Sequence, residues 1–137
     1  MVIYFSRTGS CRKIAEKIAS EMKCDIFELS DNYNWKGLIG FVRGVVHSAK
    51  DTPIDYRPLG IDINKQKTIY LVAPIWAGKL QPTMRSFIKQ ESLYNSQLFV
   101  AYKTKTPTET IKRNTRFLTR KEPIYININD VMDNIIL

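Results

Sequence analysis

The sequence predicts one α/β domain, spanning 1–137, in which a parallel sheet is covered by helices on both faces. Three observations lead there. Short β-rich runs alternate with helix-periodic stretches from end to end. The run Thr68-Ile69-Tyr70-Leu71-Val72-Ala73 is almost continuously apolar, as a central parallel strand buried on both faces must be. No linker, internal repeat or low-complexity tract interrupts the 137 residues, a length that suits a single core.

Residues 2–5 form the first predicted strand. Residues 10–22 form the first helix, because Ile14, Ala15, Ile18 and Met22 recur at helical spacing. Cys24 to Leu29 alternates apolar and polar and reads as an edge strand, closed by the turn-forming Ser30-Asp31-Asn32-Tyr33-Asn34. Residues 36–49 read as a helix in which Gly37, Gly40 and Gly44 mark close packing. Asp51 to Lys67 is polar, holds Pro53, Pro58 and Gly60, and reads as loop. The third strand, 68–73, leads into a loop over 74–80. Pro82 then suits the first turn of a helix running to about Glu91. Residues 97–103 form the fourth strand. Thr106-Pro107-Thr108-Glu109 resembles a helix start, with the helix reaching about Thr119. Residues 123–128 form the fifth strand, and Asn129 or Asp130 caps at most a very short last helix.

Composition narrows the function classes. The net charge is +8 and the pI about 9.6, which favours an acidic partner. Lys103, Lys105, Lys112, Arg113, Arg116, Arg120 and Lys121 face only Glu109 over the stretch 103–121, which reads most simply as a solvated helix face. Cys11 and Cys24 have neither metal nor redox spacing. Cys24 reads as a small core residue. Cys11 lies at a helix N-terminus, where a thiol pKa can be lowered, although a small turn residue is the favoured reading. The apolar N-terminal run stops at Ser6 with no basic segment before it, so no export leader, a cytoplasmic location and reduced thiols are expected. No stretch is long enough to span a membrane. His47 is the only histidine and is predicted on a helix away from the strand-end loops, which argues against a Ser-His-Asp triad or a histidine metal site. Walker and Gly-x-Gly-x-x-Gly patterns are absent from the sequence.

In an open parallel sheet, ligands bind beyond the carboxyl ends of the strands. Three predicted loops lie there. Ser6-Arg7-Thr8-Gly9-Ser10-Cys11 joins the first strand to a helix; its hydroxyls, and the unpaired N–H groups of the helix start, suit a phosphate. Pro74-Ile75-Trp76-Ala77-Gly78 offers an aromatic plane. Tyr102, Lys103 and Thr104 offer a second ring and further polar groups. Together they suit a flat heterocycle with a phosphate tail.

These residues resemble the flavodoxins and flavodoxin-like proteins. Phe5-Ser6-Arg7-Thr8-Gly9-Ser10-Cys11 is similar to their phosphate loop, of pattern Ser/Thr-x-Thr-Gly-x-Thr. Ala73-Pro74-Ile75-Trp76-Ala77-Gly78, followed by Pro82 and Arg85-Ser86-Phe87-Ile88, is similar to their third-strand segment. The resemblance implies a flavodoxin-like three-layer sandwich with a five-stranded parallel sheet in the order 2-1-3-4-5. It implies non-covalent FMN, with the phosphate on Ser6, Arg7, Thr8, Gly9, Ser10 and Cys11. The ring would lie among Pro74, Ile75, Trp76, Ala77, Gly78, Tyr102, Lys103 and Thr104. No metal and no protein nucleophile are expected.

Three departures stand out. Cys11 replaces the usual last threonine of the loop. The chain is basic where electron-carrier flavodoxins are acidic, and Lys103 and Lys105 would favour negative charge on a reduced ring. The C-terminal helix is short, and the apolar Ile135-Ile136-Leu137 points to a homodimer or a tail folded over the sheet.

The implied function is electron transfer or flavin-dependent reduction of a small acceptor, with a redox partner protein or small electron acceptor. The alternative is a binding module of the same fold with weak or no FMN, engaging an acidic protein through its basic face. Nucleic-acid binding has only charge in its favour and ranks third.

Overall fold

The computed structural model describes residues 1–33 and 54–130, together with positions 39, 40, 42–44 and 46 between them. The elements are β1 (Val2–Tyr4), α1 (Ser10–Met22), β2 (Ile26–Glu28), β3 (Tyr70–Trp76), β4 (Lys79–Leu80), α2 (Pro82–Gln90), β5 (Gln97–Tyr102), α3 (Glu109–Thr115) and β6 (Ile124–Asn127). Single 3-10 turns occupy Ile63–Lys65 and Ile128–Asp130. The described positions between 39 and 46 are helical. The rest of the predicted 36–49 helix, His47 included, lies outside the described residues, and so does the 131–137 tail on which the homodimer expectation rests.

The five parallel strands run β2-β1-β3-β5-β6, which is the expected 2-1-3-4-5 order. The sheet has a sixth member. Where a loop over 74–80 was expected, β3 continues to Trp76 and β4 folds back on it antiparallel, pairing Ile75 with Leu80 and Trp76 with Lys79. The turn between them places both Ala77 (φ 51°) and Gly78 (φ 77°) in the left-handed region, the geometry of a two-residue hairpin whose twist matches its strands.

Strand alternation divides the core in two. Val2, Tyr4, Val72, Phe99 and Ala101 pack with Cys11, Ile14, Ala15, Ile18 and Ala19 of α1. Ile3, Phe5, Leu71, Ala73, Leu98 and Val100 pack on the other face with Met84, Phe87 and Ile88 of α2 and Ile111 of α3. Each period-2 strand therefore feeds two apolar layers, and both must be covered by helices. β2 is an edge strand, half-buried at Phe27 and exposed at Ile26 and Glu28.

The helix expected to reach Thr119 stops at Thr115. Thr115 Oγ1 donates to the Ile111 carbonyl at 2.8 Å, the kind of back-bond that weakens a helix interior. Past the end, the Arg120 N–H donates to the Tyr94 carbonyl at 2.7 Å, pulling 116–121 into turns against the loop before β5. The basic stretch is thus half helix and half corner, and not one solvated helix face.

Candidate functional site

At the carboxyl ends of β1, β3 and β5 the chain encloses a pocket of about 520 Å³, a size typical of cofactor sites. Of the residues singled out in the sequence, Ser6, Arg7, Thr8, Ser10, Cys11, Pro74, Ile75, Trp76, Ala77, Gly78, Tyr102, Lys103 and Thr104 all border it. Gly9 does not. Its part is conformational: it precedes α1 at φ 97°, with open space where a Cβ would stand, so a side chain there would be strained by the backbone and not by a neighbour.

The phosphate-loop end is built by an unsatisfied helix start. Gln81 Oε1 accepts from the Met84 N–H at the start of α2, and Thr108 Oγ1 from the Ile111 N–H at the start of α3. Of α1, α2 and α3, only α1 begins without a side-chain cap, and its first turn holds no acidic residue. Ser6 Oγ accepts from the Gly9 N–H at 3.0 Å, which fixes the loop and leaves the serine's own proton to donate. Thr8 Oγ1 and Ser10 Oγ lie 3.5 Å apart. The loop thus offers hydroxyls, backbone N–H groups, the positive end of a helix dipole and the Arg7 guanidinium.

Cys11 borders this end but is only 2% exposed, packed with Val2, Tyr4 and Ile14. Burial pushes its thiol pKa up to about 12, against a smaller downward pull from Lys103. The lowering considered from the sequence is therefore overturned, because desolvation of the buried thiol outweighs the lysine. Cys24, read as a small core residue, is only half-buried, packed at the margin of the same cluster.

The ring end is walled by Trp76. Its indole meets Phe5 edge-on, with centroids 5.7 Å apart and planes at 84°. On another side stand the helical positions around Gly40 and Gly44. A Cβ on Gly44 would fall 3.0 and 3.1 Å from Cε3 and Cζ3 of Trp76. The hairpin carrying Trp76 is tied down by α3, where Asn114 Nδ2 donates to the Gly78 carbonyl at 2.9 Å. The third loop is tied by β6: Asn127 Nδ2 donates to the Thr104 carbonyl at 2.9 Å. Tyr102 is half-buried there, and Lys103 stands exposed at the rim. Lys105, expected beside it, does not border the pocket.

Sequence reasoning missed Gly40, Gly44, Ala101, Thr108, Ile111 and Ile128 as lining residues. The Gly-x-x-x-Gly spacing of Gly40 and Gly44 signalled close packing, and at Gly44 the packing partner proves to be the Trp76 ring of the pocket. Ala101 and Ile111 carried only core signals. Arg7 and Lys103 are the charged residues bordering the pocket; no carboxylate does so among the described residues. No group of described side chains is arranged to hold a metal ion.

No protein-family model matches the chain, and no curated protein sequence does so significantly. Solved structures do. A flavoprotein from Lactobacillus acidophilus NCFM, solved in complex with FMN, is similar with a TM-score of 0.69 and 17% identity, over 92% of this chain and 88% of that one. Two proteins provisionally classed as flavoproteins match at a TM-score of 0.74 and 17% identity. The one from Bacteroides eggerthii DSM 20697 aligns over 96% of this chain and 91% of its own, and the one from Bacteroides uniformis ATCC 8492 over 96% and 93%. The chain therefore has the flavodoxin-like fold that its sequence resembles. No helix among the described residues is long and apolar enough to cross a membrane.

Proposed function

We propose that the protein binds FMN non-covalently in this pocket and works in electron transfer or in reduction of a small acceptor. The observation that carries the reading is the uncapped, acid-free start of α1, opening into a pocket that an indole also lines. An anionic phosphate tail suits the first feature and a flat ring the second. The FMN-bound flavoprotein of the same fold supports the choice of ligand.

The residues present fit the group. Ser6, Thr8, Ser10 and the N–H groups of the first turn would hold the phosphate, with Arg7 as counter-charge. Trp76 and Tyr102 would flank the ring over an apolar floor that includes Pro74, Ile75 and Ile111. When bound, FMN supplies the redox chemistry. The protein's residues bind it, orient it and set the charge around it, and Lys103 at the rim favours an anionic ligand. A redox partner or acceptor would approach at the carboxyl ends of the strands, and the free Cys11 and Cys24 suit a reducing cytoplasm.

The test is stoichiometric. Purified protein is mixed with excess FMN, passed through a desalting column, and its flavin absorbance compared with protein content before and after reduction by dithionite. Retention of about one flavin per chain, bleached and restored in air, is the expected result. Protein that emerges colourless overturns the reading.

A further inference from the structure

A second concave surface lies at the opposite end of the sheet, where β5 and β6 begin. It is a hollow of about 450 Å³ bordered by Tyr94, Arg116, Phe117, Thr119, Arg120 and Glu122. Phe117 is 83% exposed, more than any other large hydrophobic side chain described, and Tyr94 is 40% exposed. Folding has left an aromatic ring in water beside a cavity, which signals a contact surface when the surrounding groups are complementary to something. The ring carries the Arg116 guanidinium 4.9 Å above its centroid. Arg120 is pre-set: its backbone N–H donates to the Tyr94 carbonyl at 2.7 Å and its Nη1 to Asn95 Oδ1 at 3.1 Å. Thr119 Oγ1 closes the corner on the Lys121 carbonyl at 3.0 Å.

The charge here is unbalanced. Among the described residues, Arg113, Arg116, Arg120 and Lys121 make no ion pair, while Glu109 is spent on Lys112 at 3.9 Å. Fixed arginines beside exposed aromatics are the composition of energetically dominant contact residues. We propose that this corner docks an acidic segment of another protein, one carrying an aromatic or leucine side chain for the hollow and carboxylates for Arg116 and Arg120. Glu122 at the rim breaks any continuous cationic track, which disfavours a nucleic-acid backbone and favours a short peptide with charges at discrete positions. The six residues of β5 separate the corner from the cofactor pocket by about 20 Å at ~3.3 Å per residue. Docking here therefore leaves the pocket open and serves tethering, not direct contact with a bound flavin.

The experiment is selection from a random dodecapeptide display library on immobilised full-length protein. The expected winners hold at least two Asp or Glu residues within four positions of an aromatic residue or leucine. A synthetic, fluorescein-labelled winner should bind by anisotropy and weaken at least tenfold for Phe117→Ala and for Arg116→Gln. It should also weaken as salt rises, and bind Thr8→Ala as it binds the wild type. Phe117 and Arg116 are exposed, so both variants should keep the wild-type circular dichroism and melting temperature. No enrichment, winners without acidic residues, or equal binding to Phe117→Ala would overturn the proposal. So would a labelled twelve-nucleotide oligouridylate that binds more tightly with the same residue dependence, which would assign the corner to nucleic acid.

Discussion

Gly44→Ala probes a contact between the helical positions around Gly44 and the indole of the ring site. The added methyl would stand 3.0 and 3.1 Å from two carbons of Trp76. Carbon atoms pack at about 3.5–4.0 Å, so roughly half an ångström must be found. Phe5 lies against the same indole with its centroid 5.7 Å away and limits retreat on that side. Overpacking of this kind costs about 1–3 kcal/mol, while alanine in place of glycine returns about 1 kcal/mol of helix propensity. Global stability should therefore fall by about 0–2 kcal/mol, and the strain should appear in the pocket. If the indole tilts out of register with the ligand, stacking worth about 0.5–1.5 kcal/mol is lost. FMN affinity should then fall about two- to twelvefold. The assay is an FMN titration followed by tryptophan quenching in a Trp35→Phe background, so that Trp76 alone reports, with near-ultraviolet circular dichroism of the indole as a second readout. Unchanged affinity and an unchanged Trp76 spectrum, with stability raised by the full propensity gain, would refute the contact.

Thr8→Ala removes one charge-assisted hydrogen bond worth about 1.5–3 kcal/mol, so FMN affinity should fall about ten- to hundredfold in the same titration. Lys103→Gln should make the reduction potential of bound FMN more negative by about 25 mV, the value of a unit charge ~7 Å away in near-bulk dielectric. Lys105→Gln, outside the pocket, should leave it unchanged, and a spectroelectrochemical titration of both variants decides. The folded Cys11 thiol titrates near 12 against 9.0 for the free group. The folded state thus keeps a proton that the unfolded chain releases, so stability from this group is present below about pH 9 and is lost as pH rises. Urea midpoints should fall above that point, with Cys11→Ala showing less of the fall, by up to about 1.4 kcal/mol per pH unit.

The sheet and its order were legible because buried parallel strands leave long apolar runs in the sequence, as in 68–73, and edge strands such as 26–28 alternate. The three loops that border the pocket were legible because the fold puts them at strand ends whatever their contacts. What was hidden depends on tertiary contacts. Ala77 at positive φ is no turn signal, so the β3–β4 hairpin read as loop. Residues 116–121 have ordinary helix propensity, and contacts such as the Arg120 to Tyr94 hydrogen bond and the Thr115 back-bond turn the chain out of the helix. Gly44 declared close packing without naming its partner. Cys11 looked like a loop residue because its position in the turn was visible and its burial under β1 was not.

In the proposed function the start of α1 recognises a phosphate while Trp76 receives a ring. Parallel calorimetric titrations of the wild type with FMN and with riboflavin, which differ only in that phosphate, test it most directly. One FMN site per chain with quenching of Trp76 is expected, with riboflavin binding at least tenfold more weakly. Equal affinity for the two flavins, or no heat with either, would contradict it.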